Sequence, residues 1–137
     1  MKLGKYINQG RGRKVYHHPD KEDIVIKVAM PKKNNKKGFK SQNKNEWEVW
    51  NLVQNTKYEK YFCPCIEISE DTQYLLQKKA KQSKSSFKYT NILKGLNDAD
   101  ITRSCNCGYY NGEMVLIDYG HPKMLPGIKK LLDKKHT

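Results

Sequence analysis

Two stretches near the start of the chain decide the fold prediction: GRGRKVY at residues 10–16 and IVIKVA at residues 24–29. Gly10 and Gly12 let the backbone approach phosphate oxygens closely, because neither residue carries a Cβ atom. The second stretch is an apolar strand interrupted by Lys27. A glycine loop followed by a lysine on a strand is typical of sites that bind phosphate groups.

The length and composition of the chain limit the alternatives. A chain of 137 residues predicts one domain, since domains usually have about 100–200 residues. Apolar residues make up 36% and charged residues 30%, so the surface is expected to be very polar. No apolar run approaches the roughly 18 residues of a membrane helix, and no signal peptide is recognisable. We therefore expect a cytoplasmic protein with no membrane partner.

The net charge of +13 raises nucleic acid as an alternative partner. Lysines cluster at 32–37, 78–81 and 129–135, and a basic surface attracts phosphate backbones without sequence specificity. However, arginine, which proteins use for bidentate contacts to nucleic acid, is scarce in this chain. The same lysines would also serve simply to solvate the surface, so nucleic acid is not the favoured partner.

The pattern of apolar and turn-forming residues predicts an α+β fold. We expect strands at 3–9, 13–18 and 24–29, a mobile polar segment at 30–43, a helix at 43–55, a hairpin at 61–69 and 72–78, a short helix or turn at 90–97, a hairpin over 109–117, and a basic amphipathic helix after Pro126.

The predicted helix carries a carboxylate on its apolar face. Val49, Trp50 and Val53 follow Glu46 at helical spacing and share its face. Packing of that face on the sheet would direct Glu46 at the strand that carries Lys27. A lysine held by a glutamate is a defined part of phosphoryl-transfer sites. An ordinary amphipathic helix with solvated glutamates is the alternative.

A second carboxylate ends an apolar strand at Asp118-Tyr119-Gly120. Asn106 lies twelve residues earlier, in a loop before the hairpin. Carboxylate and amide oxygens are ligands of Mg²⁺ where it bridges phosphates. Asp-Tyr-Gly alone is a weak motif, and the order of all these elements is the stronger signal.

This order resembles the protein-kinase-like superfamily. Residues 9–20 with 24–28 look like the YrbL-type family named for the PhoP regulatory network, and 106–108 with 115–120 are similar to small phage-encoded kinase-like proteins. The resemblance implies a minimal protein-kinase-like fold in a single domain, 1–137. Its N-lobe-like part, about 1–79, would be an antiparallel sheet with one packed helix, and about 80–137 would form a strongly reduced C-lobe.

The resemblance also implies ATP and Mg²⁺ as cofactors and a role for each matching residue. Gly10 and Gly12 would cover the phosphates, Lys27 would bind them with Glu46 as its partner, Val15 and Val25 would flank the base, Gln77 to Lys79 would form the adenine-facing hinge, and Asn106 and Asp118 would bind the metal.

The chain departs from the family in two respects. The family's catalytic aspartate lies five residues before the asparagine, where this chain has Ile101, so Asp100 would have to accept the proton instead. The segment after the hinge is also too short to build the helices that bind a peptide substrate. Whether the protein is an enzyme therefore stays open on sequence alone.

Two Cys-x-Cys pairs leave a further question open. Cys63 with Cys65 and Cys105 with Cys107 would supply the four thiolates of a tetrahedral zinc site if they converged. The alternative is four free thiols, because an intracellular chain argues against structural disulfides.

Three functions remain on this evidence. The first is an ATP/Mg²⁺-dependent phosphotransferase, and the second is a phage-encoded pseudokinase that acts as a binding module on a host protein in the host cytoplasm. The third is a basic nucleic-acid-binding protein.

Overall fold

The computed structural model describes residues 1–10, 12–30, 42–96 and 99–133. Within these residues the chain forms an α+β fold with two antiparallel sheets and two α-helices. The elements are β1 (Tyr6–Gln9), β2 (Arg13–His17), β3 (Ile24–Ala29), α1 (Gln42–Val53), β4 (Cys65–Ile68), β5 (Tyr74–Lys78), β6 (Lys81–Gln82), β7 (Cys107–Tyr110), β8 (Glu113–Leu116) and α2 (Met124–Asp133).

The first sheet has the strand order β1-β2-β3-β5-β4, with every neighbour antiparallel. Each of its strands lies inside a predicted range. The start of the predicted strand 61–69 is wrong, because a short 3₁₀ turn covers Glu59–Tyr61. Most of the predicted mobile segment and the lysine cluster at 32–37 lie outside the described residues.

α1 packs the predicted face on this sheet. Glu46, Val49, Trp50 and Val53 are all buried, as their spacing indicated. The helix ends two residues before the predicted boundary. Asn55 has a φ of 62°, and this left-handed conformation, which asparagine tolerates better than most residues, cannot continue a right-handed helix.

The second sheet has the order β6-β7-β8. Its predicted hairpin turns at Asn111 and Gly112, whose φ values of 52° and 80° are the positive pair that a type I′ turn requires. The two sheets are tied together where the Cys63 N–H donates to the Leu116 carbonyl at 2.8 Å. Phe62, next to this bond, is buried against Tyr119.

The C-terminal helix begins earlier than predicted. α2 starts at Met124 and contains Pro126 in its first turn. Proline is tolerated there because the first N–H groups of a helix have no intrahelical acceptor. Met124 and Ile128 are fully buried in the core that α1 and both sheets share, and Leu131 is nearly so.

Trp50→Ala tests this packing. The Trp50 side chain is 6% exposed within the main core, so its removal should lower the free energy of unfolding by about 3–5 kcal/mol. Trp47→Ala is the matched control, because Trp47 is only partly buried against the same core. This variant should lose less free energy of unfolding than Trp50→Ala. Urea denaturation measures both. A loss below about 1 kcal/mol for Trp50→Ala would contradict the layout.

Candidate functional site

A cavity of about 760 Å³ opens between the first sheet and the loops around residues 99–106 and 117–121. Most of the residues that the sequence predicted as site residues line it. They are Gly10, Val15, Val25, Lys27, Gln77, Lys79, Asp100, Asn106 and Asp118. Among the predicted nucleotide, magnesium and catalytic residues, Gly12 and the completely buried Glu46 are not part of the wall. Of the four cysteines predicted as possible zinc ligands, Cys105 lines the cavity and Cys63, Cys65 and Cys107 do not.

Lys27 and Glu46 form the predicted ion pair. Lys27 lies in the middle of β3 and Glu46 on the buried face of α1, and Nζ of the lysine is 2.5 Å from Oε1 of the glutamate. The same Nζ also donates to the Ile117 carbonyl at 2.5 Å. The ammonium is therefore held at the cavity wall next to Asp118.

Arg13 completes this cluster, although the sequence analysis gave it no role. Its Nη1 lies 2.6 Å from Glu46 Oε2, as an ion pair rather than a regular hydrogen bond. Its Nη2 donates to Asp118 Oδ1 at 2.6 Å. The arginine side chain is only 5% exposed. Arg13, Lys27, Glu46 and Asp118 form one connected group, which we call the ion-pair cluster.

The alternation of side chains along β2 indicates that Arg13 faces the cavity. Side chains two residues apart on a strand point to the same face of the sheet. Val15 was predicted to face the bound base, so Arg13 and His17 had to face the same side. All three residues line the cavity.

The opposite charges of the ion-pair cluster keep Arg13 and Asp118 ionised. The Asp118 side chain is partly buried, with 41% of its surface exposed. Its burial raises its pKa, but the positive charges of Arg13 and Lys27 outweigh this effect and hold the pKa below its ordinary value. Burial lowers the pKa of Arg13, but Glu46 and Asp118 outweigh burial and raise it. The guanidinium and the Asp118 carboxylate are therefore both charged at neutral pH.

Asn43 anchors the ion-pair cluster to the sheet, a role that was not predicted from the sequence. Its Oδ1 accepts a hydrogen bond from Arg13 Nη1 at 3.1 Å. Its Nδ2 donates to the backbone carbonyls of Lys27, Thr72 and Gln73 at 3.1, 3.0 and 2.8 Å. Asn43 is 1% exposed, so the first turn of α1 is fixed on β3 and on the turn before β5.

Gly120 lets the segment that follows β8 and carries Asp118 approach α1. A Cβ atom at Gly120 would lie 2.5 Å from the Gln42 carbonyl oxygen, a distance that no side chain tolerates without backbone movement. The glycine of the Asp-Tyr-Gly motif is thus required by close packing.

Asp100, Asn106 and Asp118 are held together through the backbone. The Asn106 carbonyl accepts hydrogen bonds from the N–H groups of Ile117 at 2.9 Å and Asp118 at 3.3 Å. Asn106 Nδ2 donates to the Asp100 carbonyl at 2.8 Å. Ile101 is a core residue with 1% exposure, whereas the Asp100 side chain is 47% exposed and lines the cavity.

The residues of the predicted hinge line the cavity, but several of their polar groups are already hydrogen-bonded within the protein. Gln77 Nε2 donates to Glu46 Oε1 at 3.1 Å, so this side chain supports the ion-pair cluster. The N–H groups of Lys78 and Lys79 donate to the carbonyls of Pro64 and Asp23 at 2.9 and 2.7 Å. These two N–H groups are not available to a base.

The predicted Mg²⁺ ligands meet at the cavity but fit a metal ion poorly. Asp118 Oδ1 already accepts from a guanidinium, and a second cation on the same carboxylate would be repelled by it. Mg²⁺ at Asp118 and Asn106 stays a prediction that this arrangement does not favour.

The four cysteines have separate partners. Cys63 Sγ donates to the Lys78 carbonyl at 3.1 Å, and Cys65 Sγ lies 3.3 Å from the Tyr119 hydroxyl. Burial raises the pKa of both thiols to about 12. Cys107 is buried and Cys105 exposed. Within the described part of the chain, no group of three or more His, Cys, Asp or Glu side chains could hold a metal ion. Zinc therefore also stays a prediction, and elemental analysis of the purified protein tests it.

Comparison with known proteins leaves the family open. No protein-family model matches the chain, and no curated protein matches it significantly. No helix within the described part of the chain is long and apolar enough to cross a membrane.

Glu46→Gln tests whether the ion-pair cluster depends on this carboxylate. Glu46 is completely buried between Lys27 and Arg13, so the change leaves two buried cations with less compensating charge. The free energy of unfolding should fall by about 3–5 kcal/mol, as when one partner of a buried pair is removed. Glu48→Gln, on the same helix but half-buried, is the control. Equal stability of the two variants in chemical denaturation would disprove the role of Glu46.

Proposed function

We propose that the protein is a minimal protein-kinase-like protein that binds a nucleoside triphosphate in the cavity. One observation carries the proposal: Lys27 is held by Glu46 at the wall of a cavity that Gly10 and Asp118 also line. A lysine fixed by a glutamate beside a strand-end aspartate is the arrangement that phosphoryl-transfer sites use to hold phosphates. ATP is the nucleotide that the resemblance implies.

The charge of the cavity supports an anionic ligand. Six cationic side chains line it, against two carboxylates, Asp100 and Asp118. The cations are Arg13, Lys27, Lys78, Lys79, Lys81 and Arg103. A concave, positively charged site attracts anions and raises their local concentration. A volume of about 760 Å³ lies within the range of roughly 300–1,000 Å³ typical of small-molecule sites.

The position of Asp100 favours phosphoryl transfer as the activity. Its carboxylate lines the cavity, and the Asn106 side chain fixes its backbone next to the strand end of Asp118. In this proposal Asp100 accepts the proton of an attacking hydroxyl while Lys27 holds the phosphate. The acceptor is an unidentified substrate, which the short C-lobe-like part would recruit through another surface.

The pairing of Arg13 with Asp118 favours a pseudokinase as the alternative. A carboxylate held in an ion pair is less free to coordinate a metal that activates a phosphate. In that case the cavity would bind nucleotide without turning it over, and the protein would act by contact with a partner protein.

Lys27→Ala tests nucleotide binding. Calorimetric titration with ATP should show saturable binding to the wild type. Loss of the fixed ammonium should raise the dissociation constant by about tenfold or more, which corresponds to about 1.4 kcal/mol of binding free energy. Lys129→Ala removes an exposed lysine of α2 outside the cavity and serves as the control. The proposal fails if the wild type does not bind millimolar ATP, with or without Mg²⁺.

Asp100→Asn separates the two forms of the proposal. If Asp100 is the proton acceptor, the change should lower ATP turnover or autophosphorylation by about 10²–10⁴-fold, the usual contribution of a general base, with little change in ATP affinity. Asp133→Asn on α2, outside the cavity, is the control. Wild-type protein that binds ATP but shows no turnover would support the pseudokinase instead.

A further inference from the structure

Arg13 places a fixed positive charge where the resemblance expects a metal ion. Its Nη2 lies 2.6 Å from Asp118 Oδ1, on the carboxylate that would otherwise coordinate Mg²⁺. Kinase-type sites use divalent ions to neutralise the charge of the phosphates and of the aspartate that faces them. In this chain a guanidinium already neutralises that aspartate.

The charges of the ion-pair cluster balance without a metal. Lys27 and Glu46 cancel, and Arg13 cancels Asp118. Without Arg13, Asp118 would present an uncompensated negative charge to a ligand that carries several of its own. A metal would then be needed between the carboxylate and the phosphates.

The guanidinium is held too firmly to move aside. Nη1 contacts Glu46 at 2.6 Å and Asn43 at 3.1 Å, while Nη2 contacts Asp118. The side chain is 5% exposed, and Asn43 is itself anchored to three backbone carbonyls. Displacing Arg13 would leave the buried Glu46 carboxylate with one cation in place of two, which is costly.

We infer that Arg13 is a built-in substitute for the metal ion, so that the cavity binds a nucleoside triphosphate without a divalent cation. This inference rests on the proposed nucleotide site. It also selects the ligand form, which is the metal-free polyphosphate. Lys27 contacts it, and the other lysines that line the cavity, Lys78, Lys79 and Lys81, supply the counter-charge.

The first test uses the wild-type protein alone. Calorimetric titrations with ATP in excess MgCl₂ and in excess EDTA should give dissociation constants within about threefold of each other. Affinity that falls about tenfold or more in EDTA overturns the inference but leaves the proposed function standing. Absence of binding in both buffers overturns the proposed function itself and the inference with it.

The second test creates a metal requirement. Arg13→Gln frees Asp118 to bind a metal, so ATP affinity should become about tenfold or more stronger in MgCl₂ than in EDTA. Arg103→Gln, the control, removes a cavity cation other than the arginine that bonds to Asp118, and should weaken ATP binding equally in both buffers. Adding Asp118→Asn to Arg13→Gln should abolish the new metal dependence.

Circular dichroism establishes that each variant is folded before titration. If Arg13→Gln does not fold, Arg13→Lys replaces it. The lysine keeps the charge, so its ATP affinity should stay nearly equal in MgCl₂ and EDTA. A folded Arg13→Gln variant with no metal dependence, or an Arg13→Lys variant that requires Mg²⁺, contradicts the role assigned to Arg13.

Discussion

The buried carboxylate of Glu46 is the group on which the site depends. It lies on α1 with no exposed surface and meets Lys27 from β3 through one oxygen and Arg13 from β2 through the other. Removal of a carboxylate from water costs several kcal/mol unless cations and donors compensate it. Lys27, Arg13 and Gln77 supply that compensation. The position of α1 on the sheet and the position of the two cations are therefore set together.

This arrangement explains why polar residues occupy an otherwise apolar core. Buried ion pairs often contribute little net stability compared with apolar residues of the same volume. In this protein the buried pairs fix charged groups at the cavity wall, which accounts for their presence despite their small net contribution to stability. Lys27, Arg13 and Asp118 all line the cavity, while Glu46 and Asn43 stand behind them. Glu46 and Asn43 thus hold the charged groups of the cavity wall in place.

Much of the fold could be predicted because local patterns and tertiary packing agree. Short sequence patterns of a few residues predicted three elements: β3, the Asn111-Gly112 turn and the buried face of α1 that carries Glu46. The Lys27–Glu46 pair was predicted from the helix spacing together with the glycine loop and the lysine on the strand. Element ends were less certain, since they depend on single backbone conformations such as that of Asn55.

The rest of the site depends on contacts between residues distant in sequence. Arg13 and Asp118 are 105 positions apart, and no local pattern indicates that they meet. The anchoring of Asn43 on three carbonyls and the use of Gln77 by Glu46 are invisible for the same reason. Mg²⁺ was predicted from Asp118 and Asn106 without the arginine that shares their cavity, and it stays a prediction.

A crystal structure of the protein with a non-hydrolysable ATP analogue, grown in EDTA, would locate the metal-free triphosphate. We expect the triphosphate beside Lys27 and Gly10, with Glu46 still between Lys27 and Arg13 and with Arg13 still bonded to Asp118. An analogue bound outside this cavity, or Arg13 released from Asp118, would contradict this expectation.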